Sequence, residues 1–251
     1  MQPLYTRNFR INNASTDRYG RAKASYLLDI LQEVAGDHSA LLGTDRQALT
    51  DRNLFWAVIR HRVQISRYPG PGETLRVETW PMPTTRTAYP RSTIAYDEKG
   101  QEVFRAISLW VLMDRDSRAM ILPGRSGVEV AGQLRGCELA SPGSIVPREF
   151  AENVSRQVHF SDLDVNGHMN NCRYLDWVTD LLPSSFHQTH SLGEFTICYL
   201  SEIREDEELL LSWEVSDGRE LTVEASRPTP GAKDGKTRVF SARMLYENVV
   251  L

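Results

Sequence analysis

Nowhere in the 251 residues is there an uninterrupted apolar run approaching the roughly 20 residues that a bilayer-spanning helix needs, so membrane insertion is not expected. Residues 1–10 carry Arg7 and Arg10 but no apolar core, and no secretory leader is read there. Cysteine is scarce. Cys137, Cys172 and Cys198 are odd in number and far apart, which argues against a disulfide framework or zinc knuckle and fits a reducing compartment, by default the cytoplasm. Neither a glycine-rich dinucleotide fingerprint nor a P-loop occurs, so no nucleotide is implied. His187 and His190 have H-x-x-H spacing, but they follow Pro183 in a stretch read as a loop and have no third ligand nearby. No metal and no other cofactor is assigned. A net charge of −4 speaks against nucleic acid as a partner.

What is present is the balance of a globular chain with a real core, 41% hydrophobic and 25% charged residues, long enough for one large domain or two ordinary ones. The charge is unevenly spread. Residues 1–125 hold 18 Lys and Arg against 13 Asp and Glu, whereas 126–251 hold 11 against 20. A basic half beside an acidic half points to a negatively charged partner for the first, unless the asymmetry merely decorates solvated faces.

The order of elements repeats. A strand-like stretch at 5–11 precedes a polar turn at 17–21 and an amphipathic run at 24–35, with Leu27, Ile30, Leu31 and Val34 at helical spacing. The same order returns at 158–160, 164–168 and 171–182, where Tyr174, Leu175, Val178, Leu181 and Leu182 share a helical face until Pro183 stops it. Four strands are predicted after each helix, at 55–65, 74–80, 91–96 and 102–113, then at 195–203, 208–215, 220–226 and 237–246. Asp217-Gly218 is a two-residue hairpin signal. A long apolar helix facing one antiparallel sheet is a two-layer α+β solution. This is the hot-dog layout, and it occurs twice in tandem. The expected organisation is a first hot dog at 1–125, a Gly- and Pro-rich linker at 126–147 and a second hot dog at 148–251. Two such units in one chain imitate a homodimer whose sheets pair edge to edge, so either a monomer or a dimer of double hot-dog chains is expected.

The most informative stretch is Asp162-Leu163-Asp164-Val165-Asn166-Gly167-His168-Met169-Asn170-Asn171-Cys172-Arg173-Tyr174. Asp164, Asn166 and His168 alternate, so an extended backbone would send their side chains to one side, although Asn166-Gly167 is itself a turn signal. A helix is expected to begin directly afterwards with Asn170 or Asn171 as N-cap, and its free N–H groups suit an oxyanion. Carboxylate, amide, imidazole and helix start form a compact hydrolytic set. On residue chemistry alone, a polar capping turn without catalysis explains the same pattern.

This stretch resembles the signature of the plant and bacterial acyl-acyl-carrier-protein (acyl-ACP) thioesterases, Asp-Leu-Asp-x-Asn-x-His, then Val or Met, then Asn-Asn-x, a Lys or Arg, and Tyr. The resemblance extends to Tyr19-Gly20-Arg21-Ala22, Trp56, and the proline-flanked strand from Tyr68-Pro69 to Trp80-Pro81. It implies a double hot dog that hydrolyses fatty-acyl-ACP, with Asp164, Asn166 and His168 catalytic and Glu202, on the following central strand, as a fourth catalytic residue. Plant members often carry a cysteine directly after that glutamate; here Ile203 stands there. A thiol mechanism through Cys172 or Cys198 remains an alternative, with buried small hydrophobes the plainer account of both. Asp164 or Glu202 fits a general base or nucleophile, His168 a group that orients water or protonates sulfur, and Asn166 a holder of the carbonyl or a partner carboxylate.

In the first half, Tyr19 and Arg21 replace Asn166 and His168, and 63–65 lies near the place of Glu202. One active site per chain is therefore expected, with the first half shaping the acyl pocket. Because acyl carrier proteins are acidic, Arg18, Arg21, Lys23, Arg60 and Arg62 are candidate docking residues. Competing functions are an acyl-CoA thioesterase, a non-catalytic acyl-binding module and, least supported, a hot-dog dehydratase, for which the first half offers no partner residue.

Overall fold

A computed structural model describes residues 3–135, 139–150, 152–232 and 234–249, so Cys137 lies outside the described residues. The chain divides into two compact units, residues 1–142 and 143–251.

Unit 1 runs β1 (Tyr5–Arg10), α1 (Ala24–Leu41), α2 (Arg46–Thr50), β2 (Leu54–Ile65), β3 (Thr74–Pro81), β4 (Tyr89–Tyr96), β5 (Glu102–Asp114), β6 (Met120–Ile121) and α3 (Pro123–Ser126). Leu27, Leu28, Ile30, Leu31, Val34, Ala35 and His38 form the buried face of α1. Their three- and four-residue spacing drives the helix onto the sheet, each large aliphatic contributing roughly 1.5–3 kcal/mol by leaving water. The antiparallel sheet has the order β1-β3-β4-β5-β2, with β6 against β5.

Its interior is not wholly apolar. Arg91, Ser108 and His61 stand in register across β4, β5 and β2. His61 Nδ1 lies 2.8 Å from Ser108 Oγ, and Arg91 Nη1 lies 3.0 Å from His38 Nδ1. The residues after α3 pack onto this unit. Val128 is buried with Leu49, Leu54, Tyr89 and Leu112, and Leu139 with Ala88, Ile107, Leu109 and Val111. Gly132 is held so closely that a methyl group there would overlap the backbone of Met82 and Pro83.

Unit 2 runs β7 (Glu152–Gln157), α4 (Arg173–Thr179), α5 (Ser184–Thr189), β8 (His190–Tyr199), β9 (Glu208–Ser216), β10 (Glu220–Pro228) and β11 (Lys236–Asn248). Its antiparallel order, β7-β9-β10-β11-β8, repeats that of unit 1 strand for strand. These are the two tandem hot dogs expected from the sequence. Several local expectations change. The strand-like stretch read at 158–160 lies earlier, as β7, and Phe160 begins a 3-10 turn. The helix predicted over 171–182 spans only Arg173–Thr179, because Pro183 lacks the N–H that would bond the Thr179 carbonyl and disfavours helical backbone at Leu182. That carbonyl accepts the Leu182 N–H at 3.3 Å and lies 3.0 Å from His187 Nε2, which is in a short helix rather than a loop. The Asp217-Gly218 hairpin has positive φ at both residues, 51° and 67°, but its loop also includes Arg219, since Glu220 pairs with Ser216.

Burial pushes the His61 imidazole from its ordinary 6.5 down to about 3. Unfolding between those values takes up a proton, so stability present above pH 6.5 is lost as pH falls toward 3, by at most roughly 1.4 kcal/mol per pH unit. His61→Gln should flatten this dependence, so the urea midpoint should drop less between pH 7.5 and 5 than in the parent. Equal drops would remove His61 as a cause.

Candidate active site

The chain from Phe160 to Tyr174 first makes a single 3-10 turn, Phe160–Asp162, and then reverses between Leu163 and Met169, which form an isolated antiparallel bridge. Asp164 closes the reversal. Its N–H donates to the His168 carbonyl at 2.8 Å, and its carbonyl accepts from the Gly167 N–H at 3.0 Å. Its Oδ1 accepts from the N–H groups of Asn166 (2.8 Å) and His168 (3.4 Å), and its Oδ2 accepts from Asn166 Nδ2 at 3.1 Å. Gly167 sits at φ +74°, in the left-handed region the turn requires.

A second loop meets this one. β8 ends at Tyr199, and Glu202 lies three residues beyond it rather than on the strand. The N–H groups of Leu200 and Ser201 share the Val239 carbonyl at 2.9 and 3.1 Å, which lifts the chain off the ladder. Met169 N–H donates to the Ile203 carbonyl at 2.8 Å, and His168 bridges Arg204. His168 Nε2 thereby stands 3.5 Å from Glu202 Oε2, with 22% and 40% of the side chains exposed. The geometry thus makes two pairs, Asp164 with Asn166 and His168 with Glu202, joined through one turn.

Unit 1 builds the same backbone with different side chains. Asp17 N–H donates to the Arg21 carbonyl (2.8 Å), Gly20 N–H to the Asp17 carbonyl (3.0 Å), and Asp17 Oδ1 accepts from the N–H groups of Tyr19 and Arg21 (2.8 and 3.0 Å). Gly20 lies at φ +75°. Ser66 and Arg67 N–H share the Val103 carbonyl, and Ala22 N–H donates to Pro69. The counterpart of Glu202 is therefore Tyr68, not a residue of 63–65, because both chains leave their strand before the loop. Where unit 2 has His168 beside Glu202, unit 1 has Arg21 bonded to Asp17 at 3.0 Å and lying 5.9 Å from the Tyr68 ring.

Aromatic packing backs the unit 2 turn. Tyr174 meets Tyr199 and Phe240 edge-on at 5.1 and 4.9 Å, and Tyr199 Oη donates to the Asn171 carbonyl at 2.8 Å. Burial holds both phenols well above the ordinary range, reinforced at Tyr174 by the Glu207 and Asp164 carboxylates. Neither Asn170 nor Asn171 is the helix N-cap, a correction to the expectation above. Asn170 Oδ1 accepts from Cys172 N–H at 2.9 Å, adding a turn that delays the helix to Arg173. Around the site, Phe160, Val165 and Leu200 are exposed at 82%, 86% and 47%. Their unit 1 counterparts are the polar Asn13, Arg18 and Ser66, so these apolar groups are peculiar to the unit that carries the His–Glu pair.

Cys172 and Cys198 are buried. His190 Nδ1 lies 3.1 Å from the Phe186 carbonyl, its ring stacked on Phe186, and among the described residues no His, Cys, Asp and Glu cluster suits a metal. The five cationic residues proposed for docking lie in unit 1, and the side chains of four hydrogen-bond within it. Arg21 is paired as above, while Arg60 and Arg62 donate to the carbonyls of Pro142 and Ala140, each at 3.4 Å. Arg18 and Lys23 are exposed; Lys23 Nζ reaches the Ala14 carbonyl at 3.3 Å. Sequence reasoning missed Arg227, whose guanidinium bonds the Glu202 carbonyl from 25 residues away; no local pattern marks it.

The family model described as the acyl-ACP thioesterase N-terminal domain matches residues 2–122, and that described as the C-terminal domain matches 147–228. The chloroplastic palmitoyl-acyl carrier protein thioesterase of Gossypium hirsutum is 28% identical over 232 residues, covering 85% of this chain and 55% of that protein. The chloroplastic oleoyl-acyl carrier protein thioesterase of Coriandrum sativum is 28% identical over 229 residues, covering 80% and 60%. The chain thus spans little more than half the length of the curated relatives it matches. A crystal structure of an acyl-ACP thioesterase from Bacteroides thetaiotaomicron is similar with a TM-score of 0.87 and 25% identity, covering 98% of each chain. The 12:0-ACP thioesterase from Umbellularia californica, with a TM-score of 0.81, 24% identity and 99% coverage of each chain, shares the fold.

The turn at Gly167 generates a direct expectation. A Cβ there meets nothing within 4 Å, so the cost of a side chain is conformational. Gly167→Ala should destabilise unit 2 by about 1–2 kcal/mol in denaturant unfolding, and Gly167→Asn by less, because Asn tolerates left-handed backbone. Parent-like stability of the Ala variant would contradict this account of the turn.

Proposed function

The chain belongs to the acyl-ACP thioesterase family, and on that premise we propose that it hydrolyses fatty-acyl-ACP, releasing the free fatty acid and the carrier thiol. The observation that carries the proposal is the His168–Glu202 pair, held by a backbone frame that unit 1 repeats without an acid–base pair. Asp164 already accepts three hydrogen bonds that tie its carboxylate to the turn. Glu202, half-exposed beside an imidazole, is better placed to take a proton.

In this mechanism Glu202 accepts a proton from water as the water oxygen bonds to the thioester carbonyl carbon. The tetrahedral intermediate then collapses with cleavage of the C–S bond. The proton passes through His168 to the departing sulfur, an accessible leaving group because thiols ionise near 8.5. Asn166, oriented by Asp164, lies within the same turn to hold the carbonyl oxygen or the water. Unit 1, whose frame carries Arg21 and Tyr68, contributes binding of the acyl chain and carrier rather than chemistry, and a single chain suffices for turnover.

Replacing Asp164, His168 or Glu202 by Ala should lower kcat on acyl-ACP by about 10²-fold with little change in melting temperature. A folded Glu202→Ala variant with parent turnover sinks the mechanism. Cys172→Ser/Cys198→Ser should keep most activity, and an acyl group trapped on either cysteine would reverse that assignment. Acyl-CoA assayed in parallel separates the two carriers.

The carrier is the second element of the proposal. Of the five candidate docking residues, Arg18 and Lys23 are exposed, and neither is held by a carboxylate in an ion pair among the described residues. Arg18→Glu/Lys23→Glu should raise KM for acyl-ACP several-fold at low ionic strength, less in added salt, and leave a short acyl-pantetheine substrate unaffected. Equal losses on both substrates would remove this face from docking.

A further inference from the structure

The loop that presents Glu202 is wired differently in the two units. In unit 2, Arg227 on β10 donates through Nη1 to the Glu202 carbonyl (2.9 Å) and to Glu207 Oε2 (2.7 Å), and through Nη2 to Ser201 Oγ (2.8 Å). Glu207 Oε1 in turn accepts from the Arg204 N–H at 3.1 Å. In unit 1, Arg67 within the loop itself donates to the Tyr68 carbonyl (3.4 Å), Glu73 Oε2 (2.8 Å) and Asp97 Oδ2 (3.0 Å). Glu73 Oε1 accepts from the Gly70 N–H at 2.7 Å.

The positions correspond one to one. Ser201 and Arg67 both donate to the shared strand carbonyl, and the N–H of Glu207 and of Glu73 donates to the carbonyl of Arg204 and of Gly70, each at 3.3 Å. Val77 pairs with Ala95 as Leu211 pairs with Ala225, which places Asp97 and Arg227 at the same site two residues further on. The guanidinium has therefore moved from the loop to the strand, and a serine and an aspartate occupy the vacated and displaced positions. One guanidinium–carbonyl–glutamate clamp is reached by opposite routes.

We propose that Arg227 is a positioning residue for Glu202: by fixing the peptide carbonyl of Glu202 it sets the carboxylate against His168. This rests on the assignment of Glu202 as the proton acceptor. A peptide bond is planar, so anchoring its carbonyl limits the directions in which the adjoining side chain leaves the loop. Misplacement of a reacting group by about 1 Å can cost on the order of 10²-fold in rate, so the clamp acts on kcat rather than on substrate affinity.

The test compares Arg227→Gln, Arg227→Lys, Glu202→Gln and Ser201→Arg/Arg227→Asp in the full chain with acyl-ACP. The last variant installs the unit 1 wiring. Arg227→Gln should lose about 10- to 100-fold in kcat with KM within about twofold of the parent. Arg227→Lys should recover part of the loss, and Ser201→Arg/Arg227→Asp should exceed Arg227→Gln by about tenfold or more. Parent kcat in Arg227→Gln overturns the proposal, as does a folded swap variant no faster than Arg227→Gln. If Arg227→Gln does not fold, the comparison rests on Lys and the swap, and a swap variant that fails to fold or to exceed Lys overturns it. Glu202→Gln keeps the two readings apart. If it retains parent activity the assignment of Glu202 fails, whereas an inactive Glu202→Gln beside a fully active Arg227→Gln defeats only the positioning role.

Discussion

The carboxylate of Asp164, folded back onto the N–H groups of Asn166 and His168, is the interaction on which the rest of the site depends. It turns a segment with two successive side-chain functions into a reversal, so that His168 leaves the turn on the edge facing the 200–204 loop. Without it the N–H groups would need other partners, and Gly167 would have no reason to remain in left-handed backbone. The same carboxylate fixes the amide of Asn166. One carboxylate thus shapes the local turn and orients the amide beside it.

The duplicate in unit 1 separates the frame from its functional load. Asp17 and Gly20 reproduce the turn, and the shared strand carbonyl and the glutamate clamp reproduce the facing loop. What changes is the pair the two loops bring together. Arg21 is bonded to Asp17 and lies beside the Tyr68 ring, so no imidazole–carboxylate pair stands at this place in unit 1. The exposed apolar groups follow the same division. Phe160, Val165 and Leu200 accompany the His–Glu pair, whereas Asn13, Arg18 and Ser66 accompany the Arg–Tyr pair.

How much of this was legible in the sequence depends on the distance over which each contact acts. The buried stripe of α1, the run of strands that follows it along the chain and the tandem repeat are read from periodicities of a few residues, and all appear in the fold. The 162–174 motif is equally local, so Asp164, Asn166 and His168 can be singled out before any coordinates. Placement fails where the backbone departs from an element. Glu202 reads as a strand residue because β8 and its loop have continuous composition, and its unit 1 counterpart is misaligned by the same error. The unit 2 helix reads too long because the apolar face continues past Thr179 while Pro183 ends it. The place of His187 is hidden likewise, since an H-x-x-H spacing carries no sign that one ring lies against the Thr179 carbonyl at the end of the preceding helix.

Arg227 is the limiting case. Nothing within ten residues of it indicates that it closes a hydrogen bond on the Glu202 carbonyl, and the equivalent cation in unit 1 is at another place in the chain. Position-by-position comparison of the two halves would score Arg67 against Ser201 and Asp97 against Arg227 as two unrelated changes. In three dimensions they are one exchange, because each loop needs a single guanidinium to hold the carbonyl beside the conserved geometry of Glu73 or Glu207. A loop lifted off its strand exposes carbonyls that no ladder satisfies, and a planar donor able to bond a carbonyl and a carboxylate together answers that need from either side. Placing the donor on β10 leaves Ser201 small beside Glu202, whereas the unit 1 arrangement puts a long cation next to Tyr68. The strand-borne arginine thus holds the loop of Glu202 from the strand side, with no long cation in the loop itself at residue 201.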